Sequence, residues 1–314
     1  MYMTRHIIHA ATLLIIGGEL HAQVVGNLQE NSTGKGVVTT VQEGAVSEGD
    51  YAAEGIINDW KETLRDFENS KEDYSSLENE IQSIRATSTE QEALNRFLGR
   101  DGKVYELPQI ISPDGIDLYL LSPEGITIYM AFDAPAYMQD IDENIIKWIR
   151  YYAYSKRNNT KRIFQRYKEW EPRIKAYFES TGIPPELAEL CLVESGCTYK
   201  AKSPVGALGM WQIMPDTGRA YGMLINGTID ERLDPVKSTI TAAKILHRNY
   251  ERIGEWTLAA AAYNCGSGRF TKTDNKGIPW SGIRTKLPKE TQQYIPCLIA
   301  IHYVWTYRKQ LGFN

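Results

Sequence analysis

Apolar positions recur at helical spacing in two separate stretches of the chain. In the first, from about Tyr51 to Leu98, Ile56, Trp60, Leu64 and Phe67 are followed by Leu77, Ile81 and Ile84 against a strongly charged background, which predicts a helical hairpin. Val104 to Ile111, Asp117 to Leu121 and Thr127 to Phe132 are β-prone and separated by Pro113-Asp114-Gly115 and Pro123-Glu124-Gly125, which predicts a small three-stranded element. From about Ile141 the helical period returns and persists to the end. Ile145, Trp148, Ile149 and Tyr152 share one face, and Ile174, Tyr177 and Phe178 share another. Breaks at Gly182 to Pro185, Ser203 to Gly209, Gly222 to Gly227, Gly266 to Gly268 and Gly277 to Gly282 divide this half into six to eight helices joined by loops suited to lining a cleft.

The N-terminus follows a different rule. Arg5 and His6 precede an apolar run from Ile7 to Ile16, then small and polar residues up to Ala22. The run is too short to span a bilayer, which needs about 20 apolar residues, and its layout is that of a signal peptide cut after Ala22. The competing reading is a buried N-terminal helix, against which the Gly17-Gly18 break and the charged start both speak. No cysteine lies beside the cut to accept a lipid, so a soluble protein of the periplasm or cell envelope is expected. Residues 23–50, rich in Gly, Ser, Thr, Val and Glu without a period, read as a flexible leader. The expected organisation is therefore residues 1–22 signal peptide, 23–50 leader, 51–135 small α+β module of unknown role, and 136–314 a mostly α domain.

Composition narrows the function. Charged residues at 24% and hydrophobic residues at 42% are ordinary globular usage, which excludes wholesale disorder and a multi-span membrane protein. A net charge of -4 with no basic block gives no electrostatic reason to bind nucleic acid. The four cysteines, Cys191, Cys197, Cys265 and Cys297, fall in the C-terminal third. Their spacing fits no zinc site, and an even number in an exported chain suggests one or two disulfides of unknown pairing, the alternative being buried small hydrophobes.

The chemistry concentrates around Glu194. Pro184 and Pro185 suit the first turn of a helix and Gly196 its left-handed end, defining a helix of roughly 185 to 195. Leu187, Leu190 or Cys191, and Glu194 then share a face. An apolar surrounding and the negative end of the helix both disfavour the ionised carboxylate, which makes Glu194 a candidate proton donor for glycosidic cleavage. The bland alternative is a helix-end glutamate with no task. Next, Ser203-Pro-Val-Gly-Ala-Leu-Gly-Met-Trp-Gln-Ile-Met-Pro215 places two glycines beside Met210, Trp211 and Gln212, giving apolar faces for sugar rings and a fixed amide for their hydroxyl or N-acetyl groups. Leu258-Ala-Ala-Ala-Ala-Tyr-Asn-Cys-Gly266 delivers Tyr263 and Asn264 to the end of a small-residue helix, where they serve either a ligand or the helix cap.

These segments, with Glu194-Ser195, Asp234-Pro235, Ser238-Thr239 and Leu287-Pro-Lys-Glu-Thr-Gln-Gln-Tyr-Ile-Pro296, occur in an order that resembles the soluble lytic transglycosylase (SLT) domain. The likeness covers about Asp142 to Arg308 and includes the stretch ahead of the catalytic helix in the lytic transglycosylase D type; residues 23 to about 140 are not covered. It implies a mostly α, lysozyme-like fold of goose type that binds peptidoglycan glycan strands and cleaves the β-1,4 MurNAc-GlcNAc bond for murein turnover.

Glu194 matches the catalytic glutamate, acting as acid and then as base to leave a 1,6-anhydro-MurNAc end. Ser195, Met210, Gln212, Tyr263, Asn264 and Tyr294 match substrate-binding or site-orienting positions. The family often has an aromatic residue at the position of Cys197 and a small one at Cys265, so the pair is a candidate structural disulfide. LysM repeats are not recognised, and strand anchoring is expected to come from elsewhere. No metal or organic cofactor is required, the chain is expected to act as a monomer, and residues 51–135 are where an envelope or secretion assembly would dock. Two rivals remain: a goose-type muramidase that admits water, with Asp216, Asp230 or Asp234 assisting, and a non-catalytic peptidoglycan-binding component.

Overall fold

Twelve consecutive residues near the C-terminus, Tyr294 to Trp305, are all buried. They leave no polar face on the helix Lys289–Thr306, and a helix apolar all round is stable only when other elements surround it. The computed structural model describes residues 60–70, 73–87, 94–98, 104–139, 142–270 and 278–313. All belong to one unit, Glu54–Asn314, built around that helix. The signal peptide and leader expected over residues 1–50 lie outside the described residues. Among the described residues no helix is long and apolar enough to cross a membrane.

The α-helices in chain order are α1 Trp60–Asn69, α2 Ser75–Thr87, α3 Pro123–Asp133, α4 Glu143–Arg150, α5 Arg157–Ser180, α6 Leu190–Ser195, α7 Pro215–Ala220, α8 Pro235–Ile253, α9 Trp256–Cys265, α10 Trp280–Ile283 and α11 Lys289–Thr306. Eight of them lie from Glu143 onward among the described residues, in line with the mostly α architecture expected. The two helices of the expected N-terminal hairpin form, with Trp60, Leu64, Leu77 and Ile81 facing the core. A π-helical turn, Tyr151–Ser155, joins α4 to α5.

The three-stranded element does not form. Val104–Pro108 is a strand, but its antiparallel partner is Leu94–Leu98, in the stretch whose pattern reads as helix. Leu118–Leu121 is a 3-10 turn capped by Asp117, whose carboxylate accepts from the Tyr119 and Ile110 amides. Thr127 to Phe132 lies inside α3. Ser122 caps that helix through the Gly125 amide and Pro123 occupies its first turn, so Pro123-Glu124-Gly125 begins a helix instead of ending a strand. With Ile126, Tyr129 and Met130 buried, helical spacing outweighs β propensity.

Helices α8 and α9 form an antiparallel pair. Asp234 and Glu255 each accept two amides at the start of one helix, and Gly254, at φ +85°, ends α8 in the left-handed conformation. Ala259 to Ala262 are buried and carry no bulk beyond Cβ, which lets α9 lie close to α8 and α11. Asn249 of α8 donates to the Ala259 carbonyl at 3.1 Å.

The loop 203–213 has no regular secondary structure of its own and is held by Arg232. The guanidinium donates to the carbonyls of Gly206 at 2.9 Å and Ile213 at 3.0 Å while pairing with both oxygens of Asp230. Gly209, at φ +82°, lies so close to the Arg232 backbone that a Cβ would come 2.0 Å from its carbonyl oxygen. Replacing Arg232 with Met leaves two loop carbonyls and a carboxylate without their donor. We expect a loss on the order of 2 kcal/mol or more in urea denaturation. Hydrogen bonding from Arg232 also holds the Asp230 carboxyl below its ordinary value of 3.8. The pair's stabilisation is therefore complete above about pH 4 and lost as pH falls through the depressed folded value. Acid titration followed by fluorescence is expected to show this component in wild type and not in Arg232→Met.

Candidate active site

Helix α6 ends because Gly196 adopts φ +57°, and that ending places Glu194. Instead of the continuous 185–195 helix expected, a 3-10 turn over Pro185–Glu189 leads into α6. The turn is anchored from inside: the fully buried Glu189 pairs with Lys175 at 3.0 Å and lies 3.6 Å from His302. A side chain at Gly196 would be strained by the positive φ and would push against Ile163 and the Arg166 guanidinium, which a Cβ would meet at 2.8 and 2.9 Å. Arg166 also donates to the Gly196 carbonyl at 2.8 Å, satisfying a helix-end acceptor.

All six residues of α6 are buried, and Glu194 retains 7% exposure. The Tyr294 hydroxyl, delivered by α11, donates to Glu194 Oε1 at 2.5 Å. Tyr263 stands close by and donates to the Trp211 carbonyl at 2.8 Å. Burial, reinforced by the neighbouring Glu194 charge, pushes both phenols well above their ordinary value of 10. They therefore stay protonated and act as donors throughout the neutral range.

Ser195 and Met210 face inward, at 1% and 0% exposure. The Ser195 hydroxyl donates to the Met210 carbonyl at 2.7 Å and accepts from the Thr198 amide at 3.0 Å. Together they tie α6 to the loop 203–213. Trp211 is buried as well, its indole N-H donating to Thr239 at 2.9 Å, so Met210 and Trp211 do not form the sugar platform suggested by their types.

Gln212 holds a non-glycine positive φ of +47° and uses its amide nitrogen on the carbonyls of Ala201 and Gly209. Its Oε1 is buried and has no hydrogen-bond partner among the described residues. Asn264 is held from α11: Thr291 donates to its Oδ1 at 2.7 Å, and its Nδ2 reaches Glu290 at 3.4 Å. Glu290 and Thr291 stand in the Leu287 to Pro296 motif, but nothing in the motif itself assigns them to Asn264.

Asp216, Asp230 and Asp234 have other tasks. Asp216 is exposed and paired with Arg219, Asp230 holds Arg232, and Asp234 caps α8. The cysteines are corrected too: all four are free thiols. The Cys191 thiol is in hydrogen-bond contact with that of Cys197, and the Cys297 thiol with the Tyr152 hydroxyl at 3.1 Å. The pairing of Cys197 with Cys265 fails because Cys197 is buried beneath α6 while Cys265, half-buried at the end of α9, interacts with Thr291. Among the described residues no group of three or more His, Cys, Asp or Glu side chains is placed to hold a metal ion.

Comparison with known proteins places this geometry. The transglycosylase SLT domain family matches residues 172–277. Membrane-bound lytic murein transglycosylase D of Escherichia coli K12 is 38% identical over 144 residues, 44% of this chain and 32% of that protein. Membrane-bound lytic murein transglycosylase F of Saccharophagus degradans is 34% identical over 143 residues, 40% of this chain and 27% of that protein. A third relative, membrane-bound lytic murein transglycosylase F 2 of Alkalilimnicola ehrlichii, is 32% identical over 111 residues, 32% of this chain and 23% of that protein. The chain thus spans about a third or less of the length of these relatives. Glu194, Gln212, Tyr263 and Asn264 fall inside the matched segment, whereas Glu290, Thr291 and Tyr294 lie beyond it. Residues 172–277 of this mostly helical chain thus match the transglycosylase SLT domain, and the relatives that share the segment are lytic murein transglycosylases.

Proposed function

We propose that this protein is a lytic transglycosylase of the bacterial cell envelope that cleaves the β-1,4 bond between MurNAc and GlcNAc in peptidoglycan strands. The observation that carries the proposal is the nearly buried Glu194 carboxyl at the end of α6, held by the Tyr294 hydroxyl at 2.5 Å with the Tyr263 phenol close by. The acid is fixed in place by a neutral phenol donor, an arrangement suited to a group that gives up and takes back a proton.

In this mechanism Glu194 protonates the glycosidic oxygen as the bond breaks through an oxocarbenium-like state. The substrate's own N-acetyl group stabilises the positive centre. Glu194, now ionised, takes the proton of the MurNAc C6 hydroxyl, which attacks C1 and closes the 1,6-anhydro ring. Tyr294 fixes the carboxyl through both steps, and its bond is strongest when Glu194 is ionised. The side chains of Gln212 and Asn264 are the polar groups proposed to meet the sugar's N-acetyl and hydroxyl groups. The engagement of Asp216, Asp230 and Asp234 in structural bonds weighs against a hydrolase that recruits one of them to activate water. Export by a signal peptide, monomeric action and docking of an envelope partner through residues 51–135 complete the proposal.

The test is mass spectrometry of muropeptides released from purified peptidoglycan. Wild type is expected to give anhydro-MurNAc ends, and Glu194→Gln to lower the rate by on the order of a thousandfold. Reducing MurNAc ends would instead identify a muramidase, and wall binding without release by either protein would identify a binding component. Thr291→Val removes the hydroxyl that orients Asn264 while nearly preserving volume. It is expected to lower kcat/KM by about three- to tenfold, with a thermal midpoint near that of wild type.

A further inference from the structure

Helix α1 lies far from the SLT-matched segment in sequence, yet it packs beneath the acid. Its first residue, Trp60, is buried at 3% exposure and meets the Tyr294 ring edge-on, with ring centroids 5.3 Å apart and planes at 89°. Tyr294 has its hydroxyl on Glu194, so Trp60 is two contacts from the carboxyl. The helix is fixed at both ends. Phe67 stacks on Trp148 at 3.7 Å, and Asp66 accepts from the Tyr151 hydroxyl and pairs with Lys156 at 3.0 Å. At the other end Lys61 reaches Glu290 at 3.7 Å, the carboxylate beside Asn264.

We infer that Trp60 is a positioning residue for the active site: its indole forms the wall that sets the Tyr294 ring, and through it the direction of the hydroxyl that holds Glu194. The inference rests on the transglycosylase reading of that site. A phenol can swing about χ1 and χ2 if one side of its ring is vacant, and a hydrogen bond of 2.5 Å tolerates little swing. An edge-to-face aromatic neighbour fixes both the distance and the tilt of the ring. Among the described residues the indole N-H has no hydrogen-bond partner, so the ring's shape and not its polar atom does the work. Another aromatic ring should therefore replace it.

The experiment uses the full mature chain and rates of muropeptide release from purified peptidoglycan. Trp60→Ala is expected to lower kcat roughly tenfold with KM within about twofold, as for weakening an interaction made mainly in the transition state. Trp60→Phe is expected to stay within about threefold of wild type. In a Tyr294→Phe background, where the hydroxyl to be positioned is absent, Trp60→Ala is expected to add less than about twofold. Should Trp60→Ala fail to fold, Trp60→Leu leaves a smaller cavity, still lacks the ring edge and carries the same expectations. Unchanged kcat in the Trp60→Ala or Trp60→Leu protein, a loss confined to KM, or full multiplication of losses in the double variant would overturn the inference. An inactive wild type would instead overturn the reading of the site on which it rests.

Discussion

The Tyr294 hydroxyl, 2.5 Å from the carboxyl of Glu194, joins two helices whose residues lie a hundred positions apart. For the bond to exist, α11 must run through the interior at a fixed depth and rotation, and its uninterrupted burial from Tyr294 to Trp305 supplies that constraint. Helix α6 must also stop where it does. Glycine at position 196 makes this ending available, because its left-handed conformation and lack of a side chain let Ile163 and Arg166 close over the turn. A short bond to a carboxyl carries energy only where its partners cannot drift, so the packing around it is part of the site.

The remainder of the site is held in the same indirect way. Ser195 fastens α6 to the loop 203–213, Arg232 fastens that loop to Asp230, and Thr291 fastens Asn264 to α11. The anchors are hydroxyl groups, a buried guanidinium and backbone carbonyls. A loop without regular structure needs its carbonyls satisfied if it is to be buried, and a guanidinium with five donors can satisfy several at once. The side chains proposed to meet a ligand, Gln212 and Asn264, thus sit on supports that do not themselves face one.

What the amino-acid order determined by itself was local. Helical spacing marked the two N-terminal helices and the α-helical half, and Pro185 with Gly196 marked the beginning and end of the segment bearing Glu194. Ordered motifs carried the resemblance to the SLT domain. These signals act within a few residues, where caps, turns and the 3.6-residue period are decided. The β-prone stretch Thr127 to Phe132 misled because side-chain shape favours a strand, whereas Ser122, Pro123 and the spacing of Ile126, Tyr129 and Met130 favour a helix.

Only the tertiary structure decided which way side chains face and which distant residues meet. Met210 and Trp211 carry surfaces suited to a sugar, but the core claims them, as it claims Cys191, Cys197 and Cys297. Trp60, one apolar position among several in a charged helix, becomes a neighbour of Tyr294, and Glu290 and Thr291 become the supports of Asn264. The contacts of Glu194 with Tyr294 and of Trp60 with Tyr294 span 100 and more residues and leave no periodic trace. They arise when the core closes, because burial is set by all the helices together and by no segment alone.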